Sequence, residues 1–221
     1  MATPGRIPAD GIGVAPVDVK ICGVTRPEDA RAAVHYGASA VGMILASGTP
    51  RTVDLATARA IVAEVPDLVW RVGVFVAPDP ERVREAVDRC GLSHVQLHAV
   101  ANIDAIRQAV PGVQILESIR VDGPEALVRA MASTADLVLL DAAVPGRHGG
   151  TGMRFDWTLL DDAGFGRDFV LAGGLTPDNV GEAVRRTAPR IVDVSSGVES
   201  APGVKDHDLI ERFITRARAS E

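Results

Sequence analysis

The sequence predicts a single-domain α/β fold, the (β/α)8 or TIM barrel, and three observations carry that expectation. Eight apolar, strand-like runs end near Cys22, Met43, Phe75, Leu97, Glu117, Asp141, Ala172 and Val194. They recur about 20 to 33 residues apart with helical patterns between them, the rhythm of repeated strand–helix units. The runs Leu137–Leu140, Phe169–Ala172 and Arg190–Val194 are largely apolar on both faces. That is expected where helices cover one side of a strand and a packed barrel fills the other. An open doubly wound sheet is the competing topology, but no Gly-rich dinucleotide loop follows the first strand.

The elements follow in order. Val19–Ile21 is a short strand that ends at Cys22, with Lys20 and Cys22 on one face and Val19 and Ile21 on the other. Lysine does not sit easily under a helix layer, so the Lys20 face is expected to line the barrel near its mouth. Pro27–Tyr36 is a helix with Pro in its first turn, Glu28 and Asp29 beside it, and Gly37 just past its end. Asp54–Val65 places Leu55, Ala58, Ile61, Val62 and Val65 on one face. Asp79–Cys90 groups Val83, Ala86 and Val87 and is closed by Gly91. Further helices are expected at Asn102–Ala109, Pro124–Met131, Asp178–Arg186 and Asp206–Ala217, and a short one near Trp157. Two long connections, 46–53 and 142–156, follow strands two and six and so fall on the active-site face of such a barrel.

Composition sets the outer limits. A chain of 221 residues can bury about 70% of the surface its unfolded form exposes. Apolar residues make up 47% and aromatics 4%, so the core is built from Val, Ala, Leu and Ile, which suits layered barrel packing. The net charge of −6 comes without a basic run, which argues against nucleic acid as a partner. Cys22 and Cys90 do not suggest a disulfide framework, and a reducing cytoplasm is the expected compartment. No apolar run is long enough to span a membrane. Residues 1–16 have neither the basic nor the apolar region of a signal peptide, and a flexible extension is expected there, ahead of a catalytic barrel over 17–221.

Several residues at the expected strand ends can carry chemistry. A lone cysteine in a strand is more often a small buried hydrophobe, but Cys22 shares its face with a lysine. A thiol of pKa near 8.5 is only about 3% thiolate at pH 7. A nearby ammonium raises that fraction, so Lys20 is expected to poise Cys22 as a base. Asp141 closes an apolar run, where it either caps the next turn or acts as an acid of raised pKa in a poorly solvated mouth. A thiolate and a carboxylic acid facing one ligand suit proton movement next to a carbonyl or imine. The turns Gly173-Gly174 and Ser195-Ser196-Gly197 follow strands seven and eight, whose loops usually form the phosphate site of these barrels. Arg51 is a cation near the mouth of an acidic protein and can clamp a carboxylate bidentately. His98 ends strand four. Asp193 shares a face with Ser195, where it either reaches a ligand or bonds within the barrel. His35, His148 and His207 do not group at metal-ligand spacings, so no metal site is expected.

Taken together, KICGVT at 20–25, GTPRTV at 48–53, VGVFV at 72–76, VQLH at 95–98, LLDAAVPGRHGGTGMRFDW at 139–157, LAGGLTPDNV at 171–180, VDVSSGVES at 192–200 and GVKD at 203–206 closely resemble the phosphoribosylanthranilate isomerase family. The resemblance covers essentially everything after residue 16. It implies an aldose–ketose isomerase of tryptophan biosynthesis that carries out an Amadori rearrangement of N-(5-phosphoribosyl)anthranilate without a cofactor. It also implies that Cys22 is the general base, Asp141 the general acid and Arg51 the holder of the anthranilate carboxylate, with the two glycine-containing turns binding phosphate. His98 and Asp193 are expected among the substrate-binding residues, and a monomer or homodimer as the assembly. This chain departs from the family after VQLH, with Ala99-Val100-Ala101-Asn102 where a glycine and acidic residues are usual. Three rival readings follow. The related histidine-pathway isomerase uses an aspartate on strand one, and Cys22 argues against it. The others are a paralogue acting on a different aromatic amine and a non-catalytic binder of a phosphorylated ligand.

Overall fold

The computed structural model describes residues 17–141, 157, 160 and 165–219. Eight parallel strands close in sequence order into a barrel: β1 (Asp18–Ile21), β2 (Ala40–Ile44), β3 (Trp70–Val76), β4 (His94–His98), β5 (Gln114–Arg120), β6 (Leu137–Asp141), β7 (Phe169–Ala172) and β8 (Ile191–Val194). The ring is closed by β1 pairing with β8, Lys20 opposite Asp193 and Ile21 opposite Val194. The described helices are α1 (Pro27–His35), α2 (Leu55–Val62), α3 (Pro80–Cys90), α4 (Ile103–Ala109), α5 (Pro124–Ala132), α6 (Val180–Thr187) and α7 (His207–Arg218). Apart from the short helix expected near Trp157, each expected helix is present within a few residues of its expected ends. Most of the discrepancies at the start are caps. Asp54, Asp79, Asn102 and Asp206 sit just outside their helices and accept hydrogen bonds from first-turn amides. Gly91 ends α3 in the left-handed conformation, at φ +66°.

Two differences are larger. Strand five runs to Arg120 rather than stopping near Glu117, because Ser118 and Arg120 continue the ladder against Leu139 and Asp141. An antiparallel pair, β9 (Glu199–Ala201) and β10 (Val204–Lys205), follows β8 and a short 3₁₀ turn, Ser196–Val198; the residue pattern did not announce it. The 1–16 segment, the 142–156 connection and most of the helix expected near Trp157 lie outside the described residues. Trp157 and Leu160 themselves are buried, with the Leu160 amide donating to the Trp157 carbonyl at 3.0 Å.

Two apolar layers hold the fold together. The larger one lies between strands and helices and includes Ile21, Val41, Met43, Phe75, Leu97, Val138, Leu140 and Phe213. The smaller one fills the barrel: Leu116, Leu137, Leu139, Val170, Ala172 and Ile191. At the N-terminal ends of the strands, Trp70 stacks on His94 with ring centroids 4.0 Å apart, and the Arg190 guanidinium lies 5.9 Å from the Trp70 ring centre. The interior apolar layer is therefore short. Above it the barrel becomes polar, with Lys20, Gln96 and Asp193 all buried.

Candidate active site at the C-terminal strand ends

Strand alternation places the catalytic candidates. Leu137 and Leu139 point into the barrel, so Asp141, at the end of the same strand, belongs to the inward face. It pairs in register with Arg120 on one side and Ala172 on the other. On β1, Lys20 points inward, where its Nζ donates to Asp193 Oδ1 at 2.8 Å. Cys22 is two residues further along, held by its amide donating to the Val194 carbonyl at 2.8 Å. Cys22 and Asp141 thus sit at the same end of the cylinder, both on inward-facing positions.

Gly42 of β2 makes room for this group. A methyl at its Cα would lie 2.9 Å from Cys22 Sγ and 3.2 Å from Lys20 Nζ, so the thiol and the ammonium occupy the space a side chain there would take. A glycine inside a strand signals such a close approach.

The electrostatics modify the expectation for Cys22. Burial pushes its thiol above the ordinary range, and the Lys20 ammonium opposes that shift without cancelling it. Lys20 acts in the expected direction, but its charge is shared with Asp193, which itself pushes the thiol up. Burial works to lower the Lys20 ammonium, yet the Asp193 carboxylate and Cys22 raise it above its usual value. Asp193 therefore bonds within the barrel. His98 is depressed by burial and by Lys20, which keeps its imidazole neutral. Gln96 Nε2 lies 2.9 Å from His98 Nε2, and Gln96 Oε1 is buried with no hydrogen-bond partner among the described residues.

Arg51 lies where the loop after β2 meets the turn after β1. A methyl on Gly23 would come within 2.8 Å of both Arg51 Cδ and Ser195 Oγ. The Arg51 fork is already engaged: Nε and Nη2 donate to the two carboxylate oxygens of Glu199 at 2.8 and 2.7 Å. Glu199 in turn accepts from Lys205 Nζ at 2.9 Å, and Lys205 also donates to the Ser195 carbonyl at 3.0 Å. The residue pattern singled out neither Glu199 nor Lys205. Both lie in stretches, VES and VKD, whose alternation is too short to reveal which way a side chain turns.

The turns after β7 and β8 meet backbone to backbone. A Cβ on Gly197 would fall 1.9 Å from the Leu175 carbonyl oxygen, so only glycine fits. Gly173 and Gly174 have φ of +94° and +66°, the left-handed region. Asn179 ties this turn shut, accepting from the Thr176 amide and donating to the Gly174 carbonyl. Among the described residues, the amides of Gly173, Gly174, Ser196 and Gly197 donate to no carbonyl or side chain. Ser195 Oγ is likewise buried without a partner. Unused donors on glycine-rich turns are the kind of backbone that can cradle an anion. The position after His98 is also informative: Ala99 has φ +49°, a conformation glycine adopts at lower cost.

Among the described residues no three His, Cys, Asp or Glu side chains group to hold a metal ion, and no helix is long and apolar enough to cross a membrane.

Comparison with known proteins agrees with this geometry. The sequence profile described as N-(5'-phosphoribosyl)anthranilate (PRA) isomerase matches residues 19–216. The N-(5'-phosphoribosyl)anthranilate isomerase of Myxococcus xanthus is 46% identical over 208 residues, covering 92% of this chain and 97% of that protein. The crystal structure of the phosphoribosyl anthranilate isomerase of Thermotoga maritima superposes with a TM-score of 0.85 at 40% identity, over 92% of this chain and 99% of that one. A further isomerase structure, in complex with reduced 1-(o-carboxyphenylamino)-1-deoxyribulose 5-phosphate, has a TM-score of 0.82 at 38% identity over 92% and 99% of the two chains. This chain belongs to the N-(5'-phosphoribosyl)anthranilate isomerase family.

Proposed function

We propose that this chain isomerises N-(5'-phosphoribosyl)anthranilate in tryptophan biosynthesis, with Cys22 and Asp141 as its base and acid. The observation that carries the reading is their common placement, inward-facing at the C-terminal rim, beside turns whose donors lack partners among the described residues. Each feature answers a need of the reaction. The phosphate is held by the amides of Gly173, Gly174, Ser196 and Gly197 and by Ser195 Oγ. The anthranilate carboxylate meets Arg51, in the loop after β2. Asp141 gives its proton to the ring oxygen as the C1–O bond breaks, and the nitrogen lone pair forms a C1=N iminium ion. That cation acidifies the adjacent C2–H bond, and the Cys22 thiolate removes the proton. The electron pair forms C1=C2 while the C=N π pair returns to nitrogen. Loss of the C2 hydroxyl proton and gain of a proton at C1 complete the aminoketose. The substrate nitrogen acts as the electron sink.

Lys20 supports the thiolate from below, and Asp193 keeps Lys20 charged in the barrel. His98, neutral and at the rim, is suited to a hydrogen bond with the sugar hydroxyls rather than to charge pairing. The two free cysteines suit a reducing compartment, and we place the protein in the cytoplasm.

General acid and general base catalysis are each worth about 10² to 10⁴ in rate. Cys22→Ala and Asp141→Asn are each expected to lose that much turnover in a fluorescence assay that follows consumption of substrate made in situ. Both are expected to keep their affinity for a reduced product analogue. Near-normal turnover in either variant would reassign that residue.

A further inference from the structure

The hairpin β9–β10 is short, yet it carries two ion pairs, Lys205–Glu199 and Arg51–Glu199. Its Glu199 side chain is 4% exposed and its Lys205 side chain 0%. It is fastened at both ends: the Lys205 amide donates to Asp29 Oδ2 at 3.2 Å, and Thr25 Oγ1 donates to the Gly203 carbonyl at 2.5 Å. Gly203 approaches the loop after β2 so closely that a Cβ there would meet the Pro50 carbonyl oxygen at 2.9 Å. The hairpin therefore joins the loops after β1, β2 and β8 into one frame, and the polar centre of that frame is the chain Lys205–Glu199–Arg51.

A guanidinium has two edges that can bind a carboxylate bidentately, the Nε–Nη2 edge and the Nη1–Nη2 end. Glu199 occupies the first with two short bonds. Only the second remains for a ligand, and its direction is set by a carboxylate that cannot itself move, because Lys205 grips the oxygen Oε1 and is anchored on the Ser195 carbonyl. A flexible loop arginine would lose side-chain entropy on each binding event; this one is already ordered.

We infer that Glu199, held by Lys205, is a positioning residue that aims the free end of Arg51 and so makes the enzyme select amines bearing an ortho carboxylate. The inference rests on the reading of Arg51 as the carboxylate-binding residue. Lys205 also ties this selection to the phosphate cradle, since its second acceptor is the backbone of Ser195. The two anchoring ends of the substrate are thus set by one rigid unit rather than by separate loops.

The test compares N-(5-phosphoribosyl)anthranilate with its aniline counterpart, which lacks the carboxylate, each formed in situ from ribose 5-phosphate and the amine. The proteins are the parent, Glu199→Gln and Lys205→Met. In Glu199→Gln, KM for the anthranilate compound is expected to rise at least tenfold with kcat changed less than threefold. On the aniline compound kcat/KM is expected to stay within threefold of the parent. Lys205→Met is expected to lose activity on both compounds, because Lys205 also holds the Ser195 backbone, but to lose at least threefold more on the anthranilate compound; that ratio decides the matter if Glu199→Gln does not fold. Should the aniline compound turn over too slowly to measure, inhibition by the two reduced product analogues yields the same ratio. Equal losses on both compounds would make the hairpin a frame only and overturn the inference, as would an unchanged KM for the anthranilate compound. A parent inactive on that compound would overturn the proposed function as well, which distinguishes the two failures.

Discussion

Replacing Lys20 by Met probes the link between the barrel's polar layer and its chemistry. Lys20 and Asp193 are paired neighbours on β1 and β8, with side chains 0% and 8% exposed and a contact of 2.8 Å. Methionine keeps the length and removes the charge, which leaves the Asp193 carboxylate buried without its counter-ion. Breaking one side of a buried pair costs about 3–5 kcal/mol. In a chain of this size each kcal/mol is worth roughly 2–4 °C, so the melting temperature should fall by roughly 6–20 °C. Removing both partners, as Lys20→Met with Asp193→Leu, should recover most of that loss, because well-packed apolar replacement of a buried pair is often close to neutral. Catalysis gives an independent reading. Lys20 is the strongest influence holding the Cys22 thiol down against burial. In Lys20→Met the thiol should titrate at higher pH, followed by the pH dependence of alkylation in a Cys90→Ala background. A melting temperature within 2 °C of the parent, with no recovery in the double variant, would refute the energetic reasoning. An unmoved alkylation midpoint would remove Lys20 from the mechanism.

Gly42→Ala should reduce turnover at least tenfold with a stability loss of about 1–3 kcal/mol, because its methyl would sit 2.9 Å from Cys22 Sγ; paired melting and rate measurements check this. Gly197→Ala should raise KM and weaken inhibition by inorganic phosphate, both at least tenfold, since the neighbour at 1.9 Å is a backbone carbonyl that cannot rotate away. Ala99→Gly should be neutral to stabilising, by up to about 1 kcal/mol in urea unfolding, through relief of its φ of +49°. His94 is pushed down to about 4 from an ordinary 6.5, chiefly by burial. The native site thus binds a proton more weakly than the unfolded chain. Its contribution is complete above pH 6.5 and lost as pH falls towards 4, a loss of about 3 kcal/mol. His94→Phe, which preserves the stack on Trp70, should flatten the fall in stability between pH 6.5 and 4.

The repeat of strands and helices was readable because each unit is local: apolar alternation, an Asp or Asn cap, a Pro in the first turn and a closing Gly all act within a dozen residues. Asp54, Asp79 and Asp206 were legible as helix starts for that reason. The end of β5 was not, because Ser118 and Arg120 carry no strand signal of their own and are extended only by pairing with β6. The inward face of Lys20 and Cys22 could be inferred from a charge that has no place under helices. The pairing of Asp193 with Lys20 could not, because it depends on which strand closes the ring.

From residues alone came the barrel, the rim positions of Cys22 and Asp141, and the glycine-rich turns after the last two strands, since each depends on periodicity and on short-range backbone chemistry. Only the folded chain decided how strongly Lys20 could draw down the thiol, and that the Arg51 fork is engaged by Glu199. Those outcomes depend on burial and on contacts between residues 148 and 173 positions apart. Burial and long-range pairing are properties of the closed cylinder, and no stretch of sequence carries them by itself.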